Sequence, residues 1–140
     1  MAIVQTQCTV FKSNLLKGLE NFTLASPYVY KIALYNANAN LDAGTTTYTT
    51  TNEITGTGYT TGGRTLVIIP PAYNGSTAYV SFNDVVWDPA SFTTRGALIY
   101  NSTTNAAVAV LNFGSDKTAT NTFTVTFPTA DASNAIIRIS

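Results

Sequence analysis

The residues able to do chemistry are few. Asp42, Glu53, Asp84, Asp88, Asp116 and Asp131 are carboxylates that could pair for acid–base work, and glycoside hydrolysis would need two carboxyls about 5 to 10 Å apart. Asp84 and Asp88 are the best placed, because they bracket the single tryptophan, Trp87. Most of these acids, however, sit among turn formers and read as loop-bonding and capping residues. The chain contains no histidine, which removes the usual general base near neutral pH, the Ser-His-Asp arrangement and the commonest metal ligand. Gly56-x-Gly58 followed by Gly62-Gly63 has the look of a phosphate loop, but neither a helix nor a Lys-Ser/Thr pair follows it, so a loop between strands is expected. The lone Cys8 excludes a disulfide within the chain and reads as a small apolar residue. Asp116-Lys117 reads as a solvated turn pair. No catalytic, metal or cofactor residue is assigned, and the chain is read as non-enzymatic.

Charge narrows the partners further. Only 10% of the residues are charged, with seven basic side chains balanced by seven acidic ones, against about 25% in average soluble domains. The cations are scattered, so there is no basic stripe to neutralise phosphates or anionic lipid, and neither nucleic acid nor a membrane surface is expected as a partner. Polarity comes instead from Thr, Ser and Asn, and roughly 25 threonines bias the backbone toward pleated strands. No basic start followed by an apolar stretch marks a leader, and no apolar run reaches the 18 or so residues of a membrane span, so synthesis and folding in a cytoplasm are expected.

The elements that must position these residues are mostly strands. Residues 95–114 read as a hairpin: apolar runs at 97–100 and 106–113 flank Asn-Ser-Thr-Thr-Asn, and both runs are apolar on consecutive positions, as in strands covered on both faces. Leu98, Val110 and Phe113 are expected in the core. Residues 28–35 alternate as a strand, with Tyr28 and Tyr30 on a half-buried face rather than a sugar platform. Residues 45–51 read as a β-prone exposed edge, 54–63 as a glycine-rich turning segment, and 64–69 as a buried strand stopped by Pro70-Pro71. Asn74-Gly75 marks a tight turn before a strand at 76–83. Strands are also expected at 85–87, 121–127 and 135–139, with a turn at 114–117. Phe11, Leu15 and Leu19 recur every four residues, so one short helix, capped by Thr9, is expected up to about Glu20.

With 140 residues there is room for one domain. The expected fold is all-β, an antiparallel β-sandwich or jelly roll of about eight strands with one short N-terminal helix. Residues 1–8 are expected as an N-terminal arm without a local pairing partner and 9–140 as the sandwich domain. Ile3 and Val4, in the middle of that arm, are the candidate partner-contact residues, because an extended arm can add a strand to a neighbour's sheet.

The succession KIALY (31–35), NEITGTGYTTGG (52–63), DVVW (84–87), RGALIYN (95–101), AVLNFGSDK (109–117) and FTVTFPTADASNAIIRI (123–139) resembles a family of small all-β virion proteins of tailed bacteriophages. The resemblance implies a structural role, most similar to a capsid decoration, or cement, protein that binds the outer shell and ties neighbouring capsomers together. It implies the major capsid protein of the same phage as partner, a dimer or trimer of the chain itself, a location on the outer capsid surface and synthesis in the host cytoplasm. The alternative is a neck, tail or fibre-associated phage protein with a carbohydrate-binding surface built from Tyr, Trp87 and Asn side chains.

Overall fold

The computed structural model describes residues 2–139, so Met1 of the expected arm and Ser140 of the expected domain lie outside the described residues. Strands β7 (Phe92–Asn101) and β8 (Ala106–Ala119) pair antiparallel as the expected hairpin. Together with β1 (Thr6–Gln7), β2 (Tyr30–Tyr35) and β3 (Arg64–Thr65) they form an antiparallel sheet ordered β1-β8-β7-β2-β3, with β7 in the middle. A second sheet is ordered β10-β5-β4, from Ile137–Ile139, Thr77–Phe82 and Ile68–Asn74. A third pairs β6 (Val85–Trp87) with β9 (Phe123–Val125). The fold is all-β with one short helix, α1 (Thr9–Leu16).

Facing residues of paired strands share a side of the sheet, so Ala33 and Tyr35 lie with Leu98 and Gly96, while Ile32 and Leu34 lie with Ile99 and Ala97. Both sides are covered, which explains why consecutive residues 32–35 and 96–101 are all buried. On one side Tyr48 stacks on Tyr100 with centroids 4.5 Å apart, and the Tyr35 hydroxyl donates to the Thr49 carbonyl at 2.6 Å. On the other, Phe22 stacks on Tyr30 at 4.5 Å, and Phe11 and Phe82 meet Phe22 edge-on. Each large aliphatic or aromatic side chain fully buried here contributes about 1.5–3 kcal/mol. The hairpin turn is organised by Asn101, whose Oδ1 accepts the backbone N–H groups of Thr103 (3.0 Å) and Thr104 (3.4 Å).

Several expectations are corrected. The N-cap position is Cys8, without a side-chain capping bond; its N–H donates to the Val108 carbonyl at 2.9 Å, so the chain leaves β1, still held to β8, directly into the helix, and Thr9 is the first helical residue. It ends at Leu16, short of Glu20; Phe11 is buried, but Leu19 is 46% exposed. β4 runs through Pro70-Pro71 instead of stopping there, because it is an edge strand and its register shifts between Ile69 and Ala72, where missing N–H donors disturb no ladder. β8 likewise runs through 114–117: Thr94 faces Lys117 and Gly96 faces Asn112, so Arg95 alone opposes residues 113–116 and the extra chain is a bulge, not a turn. Phe113 sits at that bulge and is half-buried, whereas Leu98 and Val110 are fully buried. Residues 45–51 make only a bridge, Thr47 to Ala106, rather than a strand.

The N-terminal arm is also corrected, since it has partners inside its own chain. The Val4 N–H donates to the Leu41 carbonyl (2.8 Å), the Leu41 N–H to the Ala2 carbonyl (3.0 Å), and Thr6 and Gln7 face Val110 and Ala109 on the outer edge of β8. Asn112 Nδ2 donates to the Ile3 carbonyl at 2.9 Å, and the Ile3 side chain is part of the core. No partner lies nearby in sequence because the partner strand is about a hundred residues away.

Candidate functional site

Of the carboxylates, Glu53 has the densest surroundings. The Tyr48 hydroxyl donates to its Oε1 at 2.5 Å, and the Tyr59 hydroxyl and the Gly62 N–H (2.8 Å) donate to Oε2. The Tyr59 oxygen in turn accepts the Leu34 N–H at 3.0 Å, and the Tyr100 hydroxyl donates to the Gly62 carbonyl at 2.7 Å. The glycine-rich segment makes this possible: Gly63 has φ +80°, and a Cβ there would lie 1.8 Å from the Ile32 carbonyl oxygen, so only glycine lets the loop lie flat on β2. Burial, with the Glu53 charge adding, pushes the Tyr100 hydroxyl up to about 12. Burial followed by the hydrogen bond to Glu53 raises Tyr48 and Tyr59, and burial followed by the Glu53 charge raises Tyr35. Phenols held protonated around a carboxylate that already accepts three hydrogen bonds are poor proton shuttles. The cluster works as a latch that ties residues 36–63 to β2 and β7.

A second acid, Glu20, is buried, only 7% exposed. Its Oε1 accepts the Tyr30 hydroxyl at 2.9 Å and Asn101 Nδ2 at 3.0 Å, while Oε2 has one long contact, from Asn14 Nδ2 at 3.5 Å. Glu20 lines an open groove of about 250 Å³ between α1 and the β10-β5-β4 sheet, whose other lining is largely apolar, including Phe11, Leu15, Val80 and Ile137. A second groove, of about 450 Å³, lies along β8 and β9, lined by Phe113, Phe123 and Val125 among others.

Of the residues singled out from sequence, Glu53 and Gly62 meet, but no three of the acids gather as a metal site among the described residues. Asp84 and Asp88 are exposed, and Asp84 Oδ1 accepts the Phe127 N–H at 3.0 Å as a loop-bonding residue does. Trp87 between them is 1% exposed and packs against Tyr59, Phe92 and Phe123, so its indole is unavailable for sugar stacking. Its Nε1 is buried without a hydrogen-bond partner. Asp42 and Asp131 accept nearby backbone N–H groups as turn residues. Asp116 pairs with Arg95 at 3.4 Å rather than acting with Lys117, an exposed contact of little energetic weight. Burial, with the Asp42 charge adding, raises the Cys8 thiol to about 11, which makes it inert at neutral pH. Of the two partner-contact candidates, Ile3 is 8% exposed and committed to its own core, while Val4 is 50% exposed. The roles of the two glutamates were not legible: Glu20 follows an apolar helix pattern, and Glu53, named only among the acids that could pair, lies in a loop whose partners Tyr48 and Tyr59 give no sequence period.

Among the described residues no group of three or more His, Cys, Asp or Glu is placed to hold a metal ion, and no helix is long and apolar enough to cross a membrane. No protein family, characterised protein or solved structure matches this chain.

Proposed function

We propose that this protein is a non-enzymatic virion structural protein, a capsid decoration or cement protein of a tailed bacteriophage, its sheets packed as a sandwich of the jelly-roll kind. The observation that carries the reading is the ordered succession of segments from KIALY (31–35) to FTVTFPTADASNAIIRI (123–139), which resembles small all-β virion proteins along most of the chain. The surface supports it. The β4–β5 hairpin carries no charged residue from Ile68 to Phe82, and residues 70–76 are exposed on both faces, as suits a feature that is covered when neighbours assemble. On this reading the partners are the major capsid protein and further copies of the chain, and several modest contacts bridging adjacent capsomers gain strength from effective concentration. The copy number per purified particle tests the role. Hundreds of copies are expected. A dozen or fewer would move the protein to the neck, tail or fibre and sink the cement reading.

A further inference from the structure

We propose that the groove between α1 and the β10-β5-β4 sheet receives a single lysine or arginine side chain, flanked by aliphatic residues, from a partner protein, with Glu20 as its counter-ion. The partner's chemistry deepens the proposed structural role and rests on it for the partner's identity, while the groove and its buried acid belong to this chain alone.

Buried carboxylates in proteins are normally paired with a cation or a metal, because neutral donors compensate only part of the lost hydration. Glu20 is buried, only 7% exposed, and has only neutral donors: a phenol and two carboxamides. The sole ion pair among the described residues is Arg95–Asp116, so no cation of the described chain serves it. The two good hydrogen bonds both fall on Oε1. Oε2, with one contact at 3.5 Å, keeps acceptor capacity, since a carboxylate offers about four lone-pair sites.

The groove's shape fits a cation on an apolar stem. Its lining offers Phe11, Leu15, Val80, Ile137 and Ile139 to methylene groups, and Glu20 is the one acidic residue in it. Long basic side chains divide their surface in this way. At about 250 Å³ the groove falls below the roughly 300–1,000 Å³ typical of small-molecule sites, a size suited to one long side chain. Residues 20–23, which line it, are followed and preceded in sequence by the exposed Leu24 (76%) and Leu19 (46%), apolar side chains free to meet aliphatic neighbours of the inserted cation.

The test uses two tripeptides, acetyl-Leu-Lys-Leu-amide and its norleucine counterpart, titrated into the ¹⁵N-labelled full chain. The lysine peptide should shift the backbone amides of Phe22, Tyr79 and Val80 and bind at least tenfold more tightly than the norleucine peptide. In Glu20→Gln, which keeps an acceptor for Tyr30 and Asn101, that preference should disappear while the norleucine affinity stays the same. Equal affinities for the wild-type chain, shifts confined to other surfaces, or no binding of either peptide would overturn the proposal. These outcomes are independent of copy number per particle, so failure here leaves the cement reading standing, and the reverse.

Discussion

Ile3 lies directly over Gly96: a Cβ built at position 96 would stand 2.9 Å from both Cδ1 and Cγ2 of Ile3, and 2.6 Å from the Leu111 carbonyl oxygen. The absence of a side chain in the middle of β7 is what lets the first residues of the chain pack onto the central strand. Gly96→Ala should therefore destabilise the fold by about 1–3 kcal/mol, the usual range for overpacking. Urea unfolding measures it, and an unchanged midpoint would mean that the arm shifts aside freely.

Removing residues 1–6 tests the same contact from the other side. The truncation takes away the buried Ile3 side chain, worth about 1.5–3 kcal/mol, and bares the outer edge of β8. A loss of about 3 kcal/mol or more in unfolding free energy is expected. A truncated chain as stable as the full one would return the arm to the role of a free attachment device.

Glu53→Gln should loosen the latch over residues 36–63. The substitution replaces one acceptor oxygen by a donor facing a phenol or the Gly62 N–H, leaving a partly buried group unpaired at about 1–3 kcal/mol. Tyr48→Phe should cost less, about 0.5–1.5 kcal/mol for one hydrogen bond. In a double-mutant cycle the two losses should fall short of additive, because both act through the same carboxylate. Strict additivity would show that the residues act independently.

Alkaline pH should unfold the protein by a route legible in its phenols. The Tyr100 hydroxyl is raised from 10 to about 12 and the Cys8 thiol from 9 to about 11. Above the ordinary values the unfolded chain releases these protons first, so the folded state binds more protons and stability falls as pH rises. Their contribution is fully present below about pH 9, the unperturbed thiol value, and should be lost progressively up to about pH 12. Melting temperatures recorded between pH 8 and 12 follow this. A flat profile would show that these groups are as free to ionise in the folded chain as in the unfolded one.

Leu98 and Leu16 make a paired control for the core. Leu98 is wholly buried and Leu16 is 91% exposed. Leu98→Ala should cost about 2–5 kcal/mol, whereas Leu16→Ala should stay within about 0.5 kcal/mol. Comparable losses at the two positions would mean that the β7–β8 hairpin is not the centre of the core.

The hairpin was legible because strands buried on both faces leave a mark that needs no knowledge of partners: apolar residues at consecutive positions, broken by an Asn-rich turn. Pro70-Pro71 and Gly114 were read as stops because local chemistry does make them so in central strands. It is their place at a sheet edge and at a bulge, set by tertiary pairing, that allows the strands to continue. The arm failed for the same reason, since Ile3 and Leu41 are joined by a bridge that no local pattern announces. Asn101 was legible as a turn former, but not as the donor that reaches Glu20 across 81 residues of sequence. Glu20 and Glu53 resist reading because a carboxylate hydrogen-bonded by phenols and amides has the same local sequence as one facing water.

The pairing of β1 with β8 has a consequence for how the chain is made. Asn112 Nδ2 and the Ile3 carbonyl that it holds are 109 residues apart in sequence. At a synthesis rate of about 5–20 residues per second, the first strand waits roughly 5 to 20 s for its partner to be translated. Leu41, which bonds the backbone on either side of Ile3, is made early, but the edge that Thr6 and Gln7 present to β8 lacks its partner throughout that interval. A sheet whose first strand docks only after its central hairpin exists closes from the middle outward.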